Sequence, residues 1–192
     1  MKIVVLTAPS GAGKTTIAHR ILQAFPSMRF SVSATTRRPR KTEKDAVDYY
    51  FLSEAEFRRK LAAGEFVEHE EVYPGLMYGT LRSELEKGTA DTPVLLDIDV
   101  RGAWSVKEAF GDDARVIYVK PPSISDLIKR LKNRATDSEQ DLAKRTARFY
   151  FETSFEDRFD FVVTNDDLET AVKETIDIVA AFLLATSEKD AD

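Results

Sequence analysis

The sequence predicts an α/β fold in which a mostly parallel β-sheet is flanked by helices. Three observations predict it. Short runs rich in β-branched residues alternate with helical stretches, and a glycine-rich loop joins the first strand to the first helix. The 192 residues, of which 43% are hydrophobic, are enough to bury one sizeable core. Because strands that alternate with helices form parallel sheets covered on both faces, we expect one folding unit of this class.

The strands of the sheet are predicted from short apolar runs. The first is KIVVLT, and the segment TTIAHRILQAF after the loop carries apolar residues at helical spacing. The later strands are PVLLDID, RVIYV and FDFVVT, residues 93–99, 115–119 and 159–164. Each of them is followed by a helical stretch, and the last stretch runs from about Leu168 to Leu184.

The middle of the chain has a different pattern. From Phe30 to Met77 the runs FSVSA, YYF and FVEHEEV are short and are interleaved with one helix. Ser53 with Glu56 three residues on is a capping box, and Gly64 is placed to end that helix. This pattern predicts a small inserted subdomain of mixed α/β structure, partly antiparallel.

A charged segment and a polar tail complete the chain. From Ile128 to about Arg148 the pattern is helical around a polar turn at ATDSEQ, residues 135–140. The tail SEKDAD, residues 187–192, is expected to be disordered because it has no apolar residues to bury beyond one alanine.

Composition excludes several classes of site and partner. No stretch approaches the roughly 20 apolar residues of a membrane span, and no signal peptide pattern is present, so we expect a cytoplasmic protein without a membrane partner. Zero cysteines exclude disulfides and thiolate metal sites, and two histidines exclude a histidine metal cluster. The formal charge of −5 argues against a protein that coats nucleic acid.

The loop LTAPSGAGKTT, residues 6–16, is nearly the phosphate-binding P-loop pattern, with Ala8 in place of the first glycine. Its glycines allow backbone N–H groups to surround phosphate oxygens, and the helix that starts near Lys14 directs its positive end towards them. Thr15 would hold Mg²⁺, and Asp97 at the end of an apolar strand is placed to bind the same ion through water. The alternative is a glycine-rich turn without a ligand, but the strand before and the helix after favour a phosphate site.

A second basic constellation is SATTRRPRK, residues 33–41. Arginine forks suit a phosphate, so a second phosphate site in a P-loop protein suggests a phosphoryl acceptor. The alternatives are a solvated basic loop and a nucleic-acid patch, and the acidic total opposes the latter. Tyr49 and Tyr78 could add hydroxyl donors, although ring packing is expected for at least one of Tyr49 and Tyr50.

The segments TTRRPRKTEKDAVDYYF, FVEH, YGT, LLDIDVRGA, PPS, RLKNR and NDDLETA resemble guanylate kinases in order and near spacing, over almost the whole chain. The resemblance implies a P-loop NTPase-type fold with three parts. These are a core (1–32, 83–127 and 159–186), a nucleotide monophosphate-binding subdomain (33–82) and a helical lid (128–158). It also implies Mg²⁺-dependent transfer of the γ-phosphoryl group of ATP to GMP or dGMP, by a monomer or a homodimer.

The resemblance carries site roles to individual positions. ATP-binding residues are Pro9, Ser10, Gly11, Ala12, Gly13, Lys14, Thr15, Thr16, Arg130, Arg134 and Asn165. GMP-binding residues are Ser33, Arg37, Arg40, Tyr49, Glu68, Tyr78, Thr80 and Asp99. Catalytic residues are Lys14, Arg37, Arg134 and Arg145, and the metal site is Thr15 with Asp97, the latter through water. Departures include Ala8, and Thr42 and Ala46 where the acceptor loop commonly has glycines.

The chemistry of guanine agrees with these roles. Guanine offers N1–H and N2–H₂ as donors and O6 as an acceptor, so Glu68 and Asp99 would accept while Ser33 and Thr80 would donate. Three rivals stay open: a kinase for another nucleoside monophosphate, a guanylate-kinase-like module that binds phosphopeptides, and a GTPase. A GTPase would need an N-K-x-D motif, which the sequence lacks, and the phosphopeptide module typically lacks a working P-loop.

Overall fold

The main sheet is parallel, as the sequence predicts, and it has five strands, one more than the four predicted for it. The computed structural model describes residues 1–9, 11–132 and 147–185. The strands are β1 Ile3–Thr7, β2 Arg29–Phe30, β7 Val94–Asp97, β8 Ala114–Lys120 and β9 Phe161–Thr164. Their order in the sheet is β2-β7-β1-β8-β9, and every neighbouring pair is parallel.

The central strand β1 is buried along its whole length, because helices cover both faces of the sheet. Val4 and Leu6 pack in one hydrophobic cluster with residues of α1 (Lys14–Ala24) and α7 (Leu168–Leu184). Ile3 and Val5 alternate to the opposite face and pack in a second cluster with residues of α4 (Val100–Phe110). Because β1 and β7 are parallel neighbours, their carboxyl ends lie side by side at one edge of the sheet, where the P-loop begins.

A second sheet of four strands forms the inserted part of the chain. Its strands are β3 Ala34–Thr35, β4 Tyr50–Phe51, β5 Phe66–Tyr73 and β6 Leu76–Leu81. Their order is β4-β3-β6-β5, with β6 antiparallel to β3 and β5 and with β3 parallel to β4. The sheet is mixed and partly antiparallel, as predicted.

Helix α2 (Glu54–Ala62) covers this sheet and begins and ends where the sequence indicates. Ser53 and Glu56 form the predicted capping box, and Gly64 follows the helix with a left-handed φ of 70°. Phe57 of α2 is fully buried and stacks on Phe66 of β5 with ring centroids 4.4 Å apart. The small sheet thus has its own apolar core.

The predicted run FSVSA divides between the two sheets. Phe30 pairs with Leu95 in the main sheet, and Ala34 pairs with Gly79 in the second. Between them, the N–H of Val32 leaves the main sheet and donates to the buried side chain of Glu84 at 3.0 Å. The crossing between the two sheets therefore lies at residues 31–33.

The remaining described helices are α3 Arg82–Leu85, α5 Ile124–Lys132 and α6, residues 147–153. Helix α5 begins four residues before the predicted Ile128, because the Ser123 hydroxyl accepts a hydrogen bond from Asp126 N at 3.1 Å and caps it. The predicted turn at 135–140 and the tail at 187–192 lie outside the described residues. No helix in the described ranges is both long and apolar enough to cross a bilayer.

Candidate active site

The P-loop connects β1 to α1 and has the backbone conformation that its glycines permit. Gly11 and Gly13 have φ values of 94° and 97°, and Ala12 N donates to Pro9 O at 3.0 Å. Ala8 is not among the described residues with positive φ, so this position does not require glycine. Gly13 precedes α1 without any side-chain cap, so the first amides of that helix are available to an anion. Ser10 lies outside the described residues.

Asn165 supports the loop from the side of the sheet. It follows β9 and is 4% exposed, and its Nδ2 donates to Ala12 O at 2.7 Å. A Cβ added to Gly13 would lie 2.3 Å from the same Nδ2 atom. Asn165 therefore packs directly against the loop in which the sequence predicts ATP binding.

Lys14 lies at the start of α1 and is held by the end of β7. Its Nζ forms an ion pair with Asp97 and donates to Ile98 O at 3.0 Å. Burial alone would lower the pKa of Lys14, but the Asp97 carboxylate outweighs it and raises the pKa above its ordinary value. Lys14 is therefore charged at neutral pH and is directed towards the carboxyl edge of the main sheet.

A cavity of about 540 Å³ separates the P-loop from the second sheet. It brings together most of the predicted residues that the structure describes. From the loop and the main sheet these are Pro9, Gly11, Gly13, Lys14, Thr15, Thr16, Asp97 and Asp99, and from the inserted part they are Ser33, Arg40, Tyr49, Glu68 and Tyr78. Four predicted residues are not among the lining: Ala12, Arg37, Thr80 and Asn165. Thr80 donates to Glu68, and Asn165 donates to Ala12 O.

Glu68 is a buried carboxylate on the wall of the cavity. It is 6% exposed, pairs with Thr80 across β5 and β6, and accepts a hydrogen bond from the Thr80 hydroxyl at 2.6 Å. Burial raises the pKa of Glu68 to about 7. Gly102 of α4 makes room for it, because a Cβ there would lie 2.4 Å from Glu68 Oε2. Gly102 was not predicted as a site residue, because the need for a residue without a Cβ appears only when α4 packs against β5.

Asp99 lines the same cavity and also caps α4. Its Oδ1 accepts hydrogen bonds from Arg101 N at 2.9 Å and from Gly102 N at 3.1 Å. The cap fixes the position of the carboxylate at the cavity wall. Its charge contributes to the raised pKa of Glu68, so the two carboxylates are close enough to interact.

Arg37 is bound in a bidentate ion pair that the sequence analysis did not predict. Its Nη1 and Nη2 donate to the two oxygens of Glu43 at 3.0 and 2.8 Å, and Arg40 N donates to Glu43 at 2.7 Å. The hydrogen bonds from Arg37 hold the pKa of Glu43 down at about 2. Glu43 thus binds the side chain of Arg37 and the backbone of Arg40, both predicted to bind the acceptor. In the sequence, only its position three residues after Arg40 indicated this ion pair.

The acceptor loop contains one strained alanine and two tyrosines with different surroundings. Ala46, which stands where such acceptor loops commonly have a glycine, has a φ of 58°, the one positive value among the described residues that are not glycine. Tyr49 lines the cavity with its ring 6.1 Å from that of Tyr78, and burial raises the pKa of its hydroxyl. Tyr50 instead donates to buried Glu84 at 2.7 Å, which agrees with a packing role for one of the pair.

Two further residues line the cavity from helix α6. They are Arg148 and Glu152, and the Arg148 Nε donates to Glu152 at 2.7 Å. Neither residue was predicted for the site, although their i, i+4 spacing on a helix was a signal for an ion pair. Of the predicted lid arginines, Arg134 and Arg145 lie outside the described residues, and Arg130 lies on α5.

Comparisons with known proteins agree with this geometry. The family model described as Guanylate kinase matches residues 1–182. A guanylate kinase of Salinibacter ruber is 57% identical over 181 residues, which cover 94% of this chain and 96% of that protein. One of Chlorobium luteolum is 46% identical over 183 residues, which cover 95% and 92%.

Solved structures give the same result for the fold. The crystal structure of guanylate kinase from Anaplasma phagocytophilum matches with a TM-score of 0.78 and 33% identity, covering 96% of this chain and 87% of that one. A shikimate kinase from Bacteroides thetaiotaomicron matches with a TM-score of 0.51 at 13% identity, a likeness of fold alone.

Proposed function

The chain belongs to the guanylate kinase family and phosphorylates GMP with ATP, and we propose that it does so in the cavity between the P-loop and the second sheet. One observation supports this location above the others. A single cavity is lined by Lys14 of the P-loop on one side and by Glu68, Tyr78 and Arg40 of the inserted part on the other. A donor phosphate and an acceptor nucleotide could therefore meet there.

The donor side of the proposal rests on the P-loop. The loop amides and the uncapped start of α1 would surround the ATP phosphates, and Lys14 would neutralise their charge. Asn165 would act at the ATP site by holding Ala12 in place. Lys14 would exchange part of its contact with Asp97 for phosphate oxygens, because a charged lysine can form several hydrogen bonds at once.

Mg²⁺ is the metal that fits the residues present. Thr15 and Asp97 line the cavity beside Lys14, and hydroxyl and carboxylate oxygens are ligands that Mg²⁺ prefers. The described residues contain no group of three or more acidic, histidine or cysteine side chains that could hold a metal alone, which fits an ion bound largely by substrate phosphates and water. When bound, it would neutralise charge on the phosphate oxygens.

The acceptor phosphate would be bound by the basic loop. Arg40, Tyr49 and Tyr78 line this part of the cavity, and the raised pKa of Tyr49 keeps its hydroxyl a hydrogen-bond donor at neutral pH. Arg37 would use its fork for the phosphate after partial release from Glu43. No general base is needed, because the acceptor phosphate is already largely ionised at neutral pH.

The base of GMP would be recognised at Glu68. Its carboxylate would accept from guanine N1–H or N2–H₂, with Asp99 as a second acceptor, and Ser33 would donate to O6. The single hydroxyl proton of Thr80 is donated to Glu68, so Thr80 would donate to O6 only after that hydrogen bond is exchanged. Adenine places an acceptor where guanine has N1–H, so AMP would leave the buried carboxylate unpaired at about 1–3 kcal/mol for each lost partner.

Catalysis would then be a matter of positioning and electrostatics. The proposed cations lie on the P-loop, on the acceptor loop and on the lid, which includes Arg130, Arg134 and Arg145. They could converge only if the subdomain (33–82) and the lid (128–158) close over the core (1–32, 83–127 and 159–186). Closure would also exclude water, which otherwise hydrolyses ATP. The phosphopeptide module is disfavoured, because Lys14 and its loop are in place and the relatives are named guanylate kinases.

A substrate panel tests the proposal. ATP labelled at the γ-phosphate is offered with GMP, AMP, UMP or dTMP, with and without Mg²⁺, and the labelled diphosphate is measured. We expect GDP to form fastest by far and only with Mg²⁺. Lys14→Ala, purified in the same way, should retain less than about a tenth of kcat and so controls for a contaminating kinase. Faster transfer to another nucleotide, or equal turnover in Lys14→Ala, would refute the proposal.

A further inference from the structure

We propose that Arg148 is a further phosphate-binding residue of this cavity and that Glu152 positions it. The inference rests on the proposed function in one respect, since it takes the cavity to hold the phosphates of both substrates. It adds a cation on α6 to the P-loop lysine, the acceptor arginines and the lid arginines.

The first observation is the place of the two side chains. Both line the cavity that Lys14, Asp97 and Arg40 also line, so α6 forms a wall of the same space. Glu152 is close enough to Lys14 and Asp99 for their charges to affect its titration. Arg148 therefore lines the same cavity as the P-loop lysine and the acceptor arginine Arg40.

The second observation is the charge balance of the cavity. Among the described lining residues the cations are Lys14, Arg40 and Arg148, and the acids are Glu68, Asp97, Asp99 and Glu152. Lys14 is paired with Asp97, and Arg148 is paired with Glu152. Because two substrates that carry several negative phosphate charges are repelled by the acids of this wall, each cation on it lowers that repulsion. Arg148 would contribute in this way beside Mg²⁺ and the other proposed cations.

The third observation is the burial of Glu152. It is 4% exposed, and burial raises the pKa of its carboxyl group, with the Arg148 ion pair acting in the opposite direction. A buried carboxylate is costly unless it is paired and hydrogen-bonded. The 2.7 Å contact with Nε satisfies it and restricts the rotamer of a side chain that is 29% exposed. Glu152 is therefore a positioning residue rather than a substrate ligand.

The chemistry of arginine permits both contacts together. A guanidinium has five N–H donors in a planar fork, so a side chain that gives Nε–H to Glu152 can also bind phosphate oxygens through its Nη atoms. A lysine has one charged nitrogen on a flexible stem and cannot make the two contacts in the same geometry. Arg148→Lys should consequently fail to replace Arg148.

Binding and turnover of matched variants test the inference. The probes are a pentaphosphate that joins adenosine to guanosine, and inorganic tripolyphosphate, both titrated by calorimetry with the whole chain. The variants are Arg148→Met, Arg148→Lys, Glu152→Gln and the double variant Arg148→Met/Glu152→Gln. Arg158→Met is the control, because Arg158 stacks over Trp104 at 5.4 Å and does not line the cavity.

We expect Arg148→Met to weaken both probes by about tenfold or more and to lower kcat, with Arg148→Lys close to it. Glu152→Gln should weaken them less, and the double variant should be no worse than Arg148→Met, since Glu152 acts through Arg148. Arg158→Met should bind as the wild type does. Unchanged tripolyphosphate affinity in Arg148→Met would overturn the inference, even if the wild type phosphorylates GMP. Weakened tripolyphosphate binding would support it even if the nucleotide panel failed.

Discussion

The side-chain amide of Asn165 donates a hydrogen bond to the backbone carbonyl of Ala12 at 2.7 Å, and so joins the loop after β9 to the P-loop. Both groups are buried, and the next residue, Gly13, has no side chain to separate them. The P-loop is therefore held in position by Asn165, which lies 153 positions later in the chain than Ala12.

Replacing Gly13 by alanine should disrupt this arrangement. The residue has a φ of 97°, and the new Cβ would lie 2.3 Å from Asn165 Nδ2, so the loop or the amide must move. We expect Gly13→Ala to lower kcat/KM for ATP by about tenfold or more and to lower stability by about 1–2 kcal/mol. Steady-state kinetics and urea unfolding measure the two effects.

Two further variants distinguish the collision of a new Cβ with Asn165 from the backbone strain of an alanine at positive φ. Gly64→Ala has the same kind of left-handed strain at a φ of 70° with nothing within 4 Å, so it should lower stability without affecting ATP. Asn165→Ala removes the colliding atom, so Gly13→Ala should cost less ATP activity in that background. Fully additive effects of Gly13→Ala and Asn165→Ala would mean that the two residues do not act through this contact.

The basic loop should respond selectively to loss of its arginines. Arg37→Ala and Arg40→Ala each remove a charge-assisted contact that typically contributes about 1.5–3 kcal/mol, so GMP should bind more weakly while ATP is little affected. Arg38→Ala is the matched control, because Arg38 is exposed and does not line the cavity. Calorimetry that finds normal GMP affinity in both site variants would assign the loop another role.

Glu68 should make stability depend on pH. Its folded pKa of about 7 lies above the unfolded value of 4.5, so the folded state binds more protons between these values and stability falls as pH rises through them. Relative to Glu68→Gln, the wild type should lose about 2–3 kcal/mol of unfolding free energy between pH 5 and pH 8. Urea unfolding of the wild type and of Glu68→Gln between pH 5 and pH 8 measures this loss. If the difference in unfolding free energy between the two proteins stayed constant over this range, the pKa of Glu68 would not be raised.

Local signals predicted much of the fold. The capping box of Ser53 and Glu56, the helix end at Gly64 and the limits Leu168–Leu184 all agree with the structure, because each depends on residues a few positions apart. The start of α5 was placed too late, since the Ser123 cap lies before the charged pattern. The family resemblance is confirmed by the family model and the relatives.

The contacts that the sequence did not predict are those between distant segments. Nothing near Gly13 in sequence indicated that Asn165 lies against it. Gly102 was missed for the same reason, because its use depends on the packing of α4 against Glu68. Glu43 and Glu152 are different, because each lies within six residues of the arginine that it binds and its spacing was a local signal. The substrate roles of the site residues stay predictions.

The most direct test of the account is the ratio of kcat/KM for GMP to kcat/KM for AMP in the wild type and in Glu68→Gln. Glutamine keeps the size of the side chain but replaces a carboxylate, which in its ionised form only accepts, with an amide that also donates. The ratio should narrow by about tenfold or more, mainly through the loss of GMP activity. Glu71→Gln, an exposed acid on the same strand, should leave it unchanged. A ratio that stays at the wild-type value in Glu68→Gln would contradict the claim that this buried carboxylate recognises guanine.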